Sequence, residues 1–584
     1  MHKLFSFILA IGPLIGISQI IDSTTTGYVT INDENAVYFD TVFSIDDFLD
    51  FTDYSTDNFG IISLGNQGDV RRRLSYSNSC SATPNLGIDG YFKNYTSVYD
   101  IPFYNVKVPT GGIRFLTGYL KGQMFGAFFT VNPTARLNAY IDYQRINSRG
   151  NYFNQQSISD QLKISTSYST KSNSYSIAAS FSWNKGVNLE YGGIADLDDF
   201  ESNRFSNREL IPINLSSSGN RVRRTEAFVG QEFNIWKFNS TSNFKGFFDF
   251  YYSDQYLAFQ SSDSVFVQNA LFESGSIRDS IRLGKVENVV GLALKGESFN
   301  AKGGITYSYY KFGNSYFNQS ENLLGLKFQL DGKLGRFIYK GDWENYFNDS
   351  YAGSYQLNFK IYTPLNKGNT KFFAQLEHGL VNPGLFTQRY ISNVFIWNND
   401  LNKTLFTNIS GGLAYKLFKI TAGTSLVSNY VYFNTISSPQ QYTSVISTNF
   451  VEAAANFKIV GGFKLDNRVR YQITTAPEVI RIPDWVLRHI LYYEFQSFNN
   501  ALAMHFGIEF RYFSSFVSEN YMPATTVMYL QDDVSIGNFP YFNFFVDLKI
   551  REFGFFLRLE NITQGLFEYN YYAAPGYPKR TSKS

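Results

Sequence analysis

Few groups in this sequence could carry catalysis. Its 584 residues include four histidines and one cysteine. A hydrolytic triad or a metal centre needs a base within hydrogen-bond reach of a nucleophile, a water or an ion. His378, His489 and His505 are scattered along the chain, and His2 belongs to a basic lead at the N-terminus. Glu377 and His378 are neighbours in a period-two run, so their side chains point to opposite faces and make no dyad. His505 precedes Phe506 in a similar run and reads as a polar residue of an inner face. Cys80 alone offers neither an intramolecular disulfide nor a cysteine-based zinc site. Asp33, Asp40, Asp46, Asp47, Asp50, Asp53 and Asp57 miss the spacing that gathers oxygen ligands around calcium, and read as a solvated acidic segment. Arg71-Arg72-Arg73 could hold lipopolysaccharide phosphates or a partner's acidic patch, but as a bare run in a loop it reads first as solvated. The expectation is a protein that is not an enzyme and holds no cofactor and no metal.

The elements that must position these residues are strands. Tyr175, Ile177, Ala179, Phe181 and Trp183 alternate with serines and an alanine, and Leu324, Leu326, Phe328 and Leu330 enclose Gly325, Lys327 and Gln329. The same period returns at Tyr355–Ile361, Arg468–Ile473 and Phe544–Ile550, which is the pattern of a half-buried strand. Tyr and Phe number 43 and 58, yet mean hydropathy is -0.21. Apart from the extreme N-terminus no run approaches the roughly 20 apolar residues of a membrane helix. The 51 basic residues against 49 acidic ones give no electrostatic case for nucleic acid.

Connections alternate in length. Tight joins near Lys171–Asn173, Asp331–Gly335, Leu417–Lys419 and Glu552–Gly554 alternate with polar links at 185–224, 254–284, 382–403 and 514–539. Short turns on one side and long loops on the other describe an antiparallel transmembrane β-barrel of an outer membrane, with periplasmic turns and extracellular loops. Strands facing lipid must close, because an unpaired edge is intolerable there. Segment counting gives about 20 strands, within a range of 18 to 22, a size that leaves either a water-filled or a plugged lumen. The apolar phase should face lipid. Lys327, Lys360, Lys464, Asp466, Arg468, Arg470, Glu509, Arg511, Asp547, Lys549 and Arg551 are the candidate lumen-lining residues. Such mixed signs predict weak selectivity, and salt-bridge ladders between strands would use the same residues. Tyr307, Trp343, Tyr346, Tyr430 and Tyr432 suit interfacial girdles.

Three parts are expected: a signal peptide at 1–18, an acidic periplasmic or lumenal segment at 19–90, and the barrel at 91–584. The signal reading rests on the basic lead, the apolar stretch Leu4 to Ile17, and the small residues Gly16 and Ser18. The middle segment is too short to resemble a full plug domain of a TonB-dependent transporter.

Several pieces carry a family resemblance when taken in order. They are Phe39-Asp40-Thr41, Leu64-Gly65-Asn66-Gln67-Gly68, Tyr104 to Thr110, Gly122-Gln123-Met124-Phe125, Arg149-Gly150, Tyr191-Gly192-Gly193-Ile194 and Glu560-Asn561-Ile562. The chain resembles the putative porins of Bacteroidota over nearly its whole mature length. That resemblance implies a bacterial outer-membrane location and passive transport. Such barrels finish with an aromatic-ended strand after a Gly-Tyr-Pro-like turn, whereas here Pro575-Gly576-Tyr577-Pro578 is followed by Lys579 to Ser584. Truncation, a shifted frame and closure by another segment all fit that departure. The leading expectation is a porin-like channel for passive diffusion of small hydrophilic solutes, with outer-membrane lipid and lipopolysaccharide around it. The alternative is an occluded barrel acting as scaffold or accessory subunit of a secretion, assembly or uptake complex, with outer-membrane protein or lipoprotein partners.

Overall fold

The computed structural model describes residues 27–30, 37–38, 45–49, 59–77, 81–88 and 90–580, apart from 119–121, 239–241, 364–369, 500 and 568. The expected signal peptide, Phe39-Asp40-Thr41, Cys80 and the aspartates at 33, 40, 50, 53 and 57 lie outside the described residues.

Alternating side chains sort to two faces only in an extended chain, and 21 strands here join one large antiparallel sheet. The first seven are β1 (Thr110–Thr117), β2 (Gln123–Thr134), β3 (Leu137–Ser148), β4 (Ser157–Ser169), β5 (Tyr175–Glu190), β6 (Ser218–Lys237) and β7 (Asn243–Ser261). Then come β8 (Ile277–Lys295), β9 (Phe299–Gly313), β10 (Asn318–Leu334), β11 (Phe337–Tyr346), β12 (Tyr355–Tyr362), β13 (Thr370–Val381) and β14 (Thr404–Tyr415). The last are β15 (Phe418–Ser428), β16 (Ile446–Lys458), β17 (Phe463–Thr474), β18 (Trp485–Ser497), β19 (Leu502–Phe513), β20 (Tyr541–Ile550) and β21 (Phe553–Leu559). Each pairs with the next through an antiparallel ladder, so β1 and β21 run in the same direction.

The faces separate as the alternation requires. On β10, Leu324 and Phe328 are 47% and 46% exposed on the outer face, while Lys327 turns inward to Glu287 and to Glu344 of β11. Two-residue turns at one end, such as Lys416-Leu417 and Arg551-Glu552, place Lys416 and Arg551 at φ of 50° and 53°, as tight hairpins require. Arg551 therefore belongs to a rim turn, not to the inner wall where the sequence placed it.

Two of the expected links are shorter than the sequence suggested. β5 runs to Glu190 and β6 starts at Ser218, while β7 ends at Ser261 and β8 starts at Ile277. Above the apolar belt both faces are polar, as at Lys185, Asn188, Arg221 and Arg223, so the period fades although the ladder continues. The girdle assignment also needs correction. Tyr346 is fully buried, and its hydroxyl donates to Glu287 at 3.4 Å; it shares an inward phase with Glu344. Tyr430 and Tyr432 sit on a loop hairpin in which Tyr430–Phe433 pairs with Pro439–Tyr442. Tyr307 does lie exposed on the outer face.

Candidate functional site

The inner face carries charge in cross-strand pairs. Arg468 and Arg470 reach Glu452 at 2.8 and 3.4 Å, and Arg470 covers the Phe450 ring at 3.9 Å. Glu509 receives Arg488 and Arg511, both at 2.7 Å, and Arg558 meets Asp547 at 3.2 Å. Lys464 pairs with Glu494, the Tyr492 hydroxyl approaches Asp466 at 3.5 Å, and Lys360 stands 5.5 Å from the Tyr362 ring centroid. Lys549 follows Asp547 in the same phase of β20. Of the eleven candidates, then, ten lie along the wall and many are tied in ladders rather than presented to a pore. The histidines sit in separate places. His378 lies between the Tyr355 and Thr407 hydroxyls, each at 2.9 Å, His489 bonds Asn467 at 2.7 Å, and His505 is buried 3.5 Å from Glu494. Among the described residues no group of three His, Cys, Asp or Glu could hold a metal ion.

What fills the space between these walls is the chain's own N-terminal segment. β1 starts at Thr110, so residues 91–109, expected in the barrel, belong to this segment instead. It enters near β18 to β21, where Arg488 donates to the Leu49 carbonyl at 2.7 Å and Arg558 bonds that of Phe48. Farther on, Gln472 of β17 donates to the Leu74 carbonyl at 2.6 Å, and Gln356 of β12 accepts from the Ala82 amide at 3.3 Å. The segment then crosses to β4, β5 and β6: Gln161 donates to the Asn94 carbonyl at 3.1 Å, Ser180 to Val98 at 2.9 Å, and the Val98 amide to Glu226 at 3.3 Å. It returns to the turn end, where Phe103–Asn105 pairs with Gly27–Val29.

Its seat is built around buried polar groups that the segment itself satisfies. Glu190 is 4% exposed and accepts from the Tyr91 hydroxyl at 2.7 Å, the Asn220 amide at 2.7 Å and the Tyr521 hydroxyl at 3.0 Å. Arg72 is not solvated, as a bare arginine run suggested. Ile61–Ser63 pairs with Arg71–Arg73, and the Arg72 guanidinium meets Glu519 at 3.3 Å, the Arg481 carbonyl at 3.0 Å and the Phe516 ring at 5.0 Å.

One apolar core joins this segment to the long loops. Leu64, Tyr91 and Phe92 share it with Phe200, Phe386, Trp397 and Tyr521 of the loops and with Tyr571 and Tyr577 near the C-terminus. The family-resembling pieces, distant in sequence, converge here. Asn66 donates to the Ser148 and Gln155 carbonyls at 3.2 and 2.6 Å, Tyr191 stacks on Tyr152 at 5.4 Å, and Tyr577 meets Tyr191 at 5.1 Å. At Gly65, φ is 107° and a Cβ would stand 2.5 Å from the Pro578 carbonyl oxygen, so only glycine fits. Another close approach is Gly87 against Gly384 of the β13–β14 loop, where a Cβ on Gly87 would lie 2.7 Å from the Gly384 Cα. Gly384→Leu is therefore expected to push residues 84–88 out of their seat while leaving the wall intact. Limited proteolysis should then cut this segment at least about tenfold faster with unchanged heat modifiability; an unchanged rate would contradict the close fit.

Asp69 gives the seat a pH dependence. Burial, with the charge of Glu190 nearby, raises its carboxyl well above the usual range, against a hydrogen bond from the Asn66 amide. The seated form thus holds the proton more tightly than the released one. Seating is strongest at low pH and weakens as pH rises from about 3.9, the unperturbed value, through the raised one. Asp69→Asn is expected to flatten that trend, measured as amide protection of residues 64–70 between pH 4 and 8; equal slopes in both proteins would refute it.

Below the segment lies a cavity of about 960 Å³ that reaches the turn rim at Gly296–Asn300 and Asp331–Lys333. Lys245 pairs with Glu232 and Lys302 with Asp249, each at 2.8 Å, and Lys327 bridges Glu287 and Glu344 at 2.6 and 3.2 Å. Asn300 and Asn358 donate to Asp331 and Asp342, each at 2.7 Å. Tyr99 of the segment stacks on Tyr251 of β7 at 5.3 Å.

The family described as "Putative porin" matches residues 24–583. The chain belongs to the putative porin family. No curated protein matches its sequence. Among solved structures, this putative porin is similar to the copper transporter OprC, with 10% identity, a TM-score of 0.59, and coverage of 86% of this chain and 90% of that one. It is also similar to the FrpB iron transporter from Neisseria meningitidis (F3-3 variant), with 11% identity, TM-score 0.51, and coverage of 78% and 76%. The ferric yersiniabactin uptake receptor FyuA from Yersinia pestis gives 9% identity, TM-score 0.52, and coverage of 78% and 75%. At such identities the likeness is one of fold.

Proposed function

We propose that this putative porin is an outer-membrane transport barrel whose lumen is closed at rest by residues 59–106, so that solutes cross when that segment moves. The observation that carries this reading is the bonding of the segment's described residues to opposite parts of the wall, from Gln472 of β17 to Glu226 of β6, with its apolar side in one core with the loops. Closure of the sheet between β1 and β21, 21 as the number of membrane strands, and the turn end as the periplasmic side belong to the same reading. No covalent step or cofactor is part of it. The open diffusion channel expected from the sequence is the second reading, and it rests on the family match.

Conductance separates the two. Full-length, heat-modifiable protein in planar bilayers is expected to be silent, and deletion of 59–105 to give large open steps. Stable steps from the full-length protein would favour the diffusion channel. Silence in both would favour a scaffold.

The membrane face has its own test. Leu326, 39% exposed in the outer belt, is expected to lie in hydrocarbon. Leu326→Lys should cost about 2 to 4 kcal/mol of barrel stability near the midplane, read as a lower urea midpoint in lipid vesicles. An unchanged midpoint would remove this face from the bilayer.

A further inference from the structure

The cavity beneath the segment has an uneven electrostatic inventory. Each of its carboxylates described above is already held by a lysine or an asparagine amide. Lys285 is different. Among the described residues it makes no ion pair; its ammonium donates to the Thr83 hydroxyl of the segment at 3.1 Å and stands 5.0 Å from the Tyr251 ring centroid. That ring is the one stacked under Tyr99. The cavity thus offers an ammonium whose one hydrogen bond goes to a neutral hydroxyl, with Glu287 and Glu344 acting on it only at longer range, and it sits beside a two-ring aromatic surface.

We infer that this cavity binds a small organic anion, a carboxylate or phosphate ester whose acidic group takes Lys285 and whose body lies against Tyr99 and Tyr251. A neutral hydroxyl is a weak partner for an ammonium, and a charged oxygen in its place makes a stronger, charge-assisted bond. The occupant therefore competes with Thr83, and Thr83 belongs to the occluding segment. Binding in the cavity loosens the segment at 81–83, where the Ala82 amide also leans on Gln356. By reciprocity, loosening that contact tightens binding of the anion. The inference rests on the occluded-lumen reading and adds to it a ligand class and a link between ligand and gate.

The test is isothermal titration of the full-length protein in detergent with phenyl phosphate, with glucose for comparison. Phenyl phosphate should bind and glucose should not. Lys285→Gln should weaken phenyl phosphate by about tenfold or more, and Lys285→Arg should keep most of the affinity. Thr83→Val, which removes the competing hydroxyl, should tighten it by about threefold. Heat modifiability of each variant checks that the barrel has formed. Equal affinity in wild type and Lys285→Gln, or no binding by phenyl phosphate, would overturn the site; weaker binding by Thr83→Val would overturn the coupling. None of these results depends on the conductance experiment, so the site can fail while the occluded lumen stands.

Discussion

Replacing Glu190 by leucine is expected to release the occluding segment more than any other single change in its seat. The buried carboxylate accepts from Tyr91 of the segment, Asn220 of β6 and Tyr521 of the β19–β20 loop. Leucine removes three hydrogen bonds and leaves two hydroxyls and an amide without acceptors in an apolar core. Each buried group left unsatisfied costs about 1 to 3 kcal/mol, and the three share one acceptor, so the combined loss should be about 3 to 5 kcal/mol. Amide protection at 91–99 should fall by about two to three and a half orders of magnitude, tenfold per 1.4 kcal/mol, while protection in β13–β16 stays unchanged. A fall smaller than about tenfold would mean that Glu190 does not anchor the segment. Glu190→Gln, which keeps acceptor capacity without charge, should fall between the two.

The second large effect is expected in the wall. Glu509 is 8% exposed and accepts from Arg488 and Arg511, with Asn543 donating to it at 2.8 Å. Glu509→Ala leaves two guanidinium groups facing each other with no anion between them. Removing one partner of a buried ionic cluster costs about 3 to 5 kcal/mol, because the remaining charge is uncompensated. The temperature at which folded and unfolded bands interconvert in gel electrophoresis should drop sharply. Combining Glu509→Leu with Arg488→Met should recover part of the loss, since it removes one of the two like charges as well. A double variant weaker than Glu509→Ala would show that the cluster stabilises through its pairing and not merely by avoiding uncompensated charge.

The wall was legible because a period of two is a strong constraint: one face must be apolar and the other need not be. Leu324, Lys327 and Phe328 announce both faces in a few residues, and the structure turns them as the alternation demands. Aromatic residues were harder to place, because tyrosine serves either face. Tyr307 lies outward and Tyr346 inward, where it shares the phase of Glu344 and its hydroxyl meets Glu287 on β8. The segment at 59–106 was not legible as a plug. Its interior residues Ile62, Leu64, Tyr91, Phe92, Val98 and Ile101 follow neither a strand nor a helix period, since the burial of the first four is fixed by distant loops and that of Val98 and Ile101 by Tyr140, Phe228 and Tyr251 of the wall. One signal was present: the long loops carry Phe386, Tyr390 and Trp397, which solvated loops have no need to contain, and these residues bury each other in the structure. The resembling pieces, each weak alone, gain their meaning from Asn66, Tyr191 and Tyr577 meeting at one place. Arg72 was misread for a similar reason, because Glu519 lies more than four hundred residues away.

The central claim, that the chain's own N-terminal segment occupies the lumen, is tested most directly by the reactivity of one buried position within it. Val98 is fully buried between the segment and the wall, whereas Leu210, in the β5–β6 loop, is 66% exposed. Val98→Cys and Leu210→Cys, each with Cys80→Ser, would be reacted in outer-membrane vesicles with a small charged maleimide. The occluded lumen predicts that Val98→Cys reacts at least about a hundredfold more slowly than Leu210→Cys, as expected for a site exposed only by local opening. Comparable rates at the two positions would show that the segment lies outside the lumen, and would contradict the account.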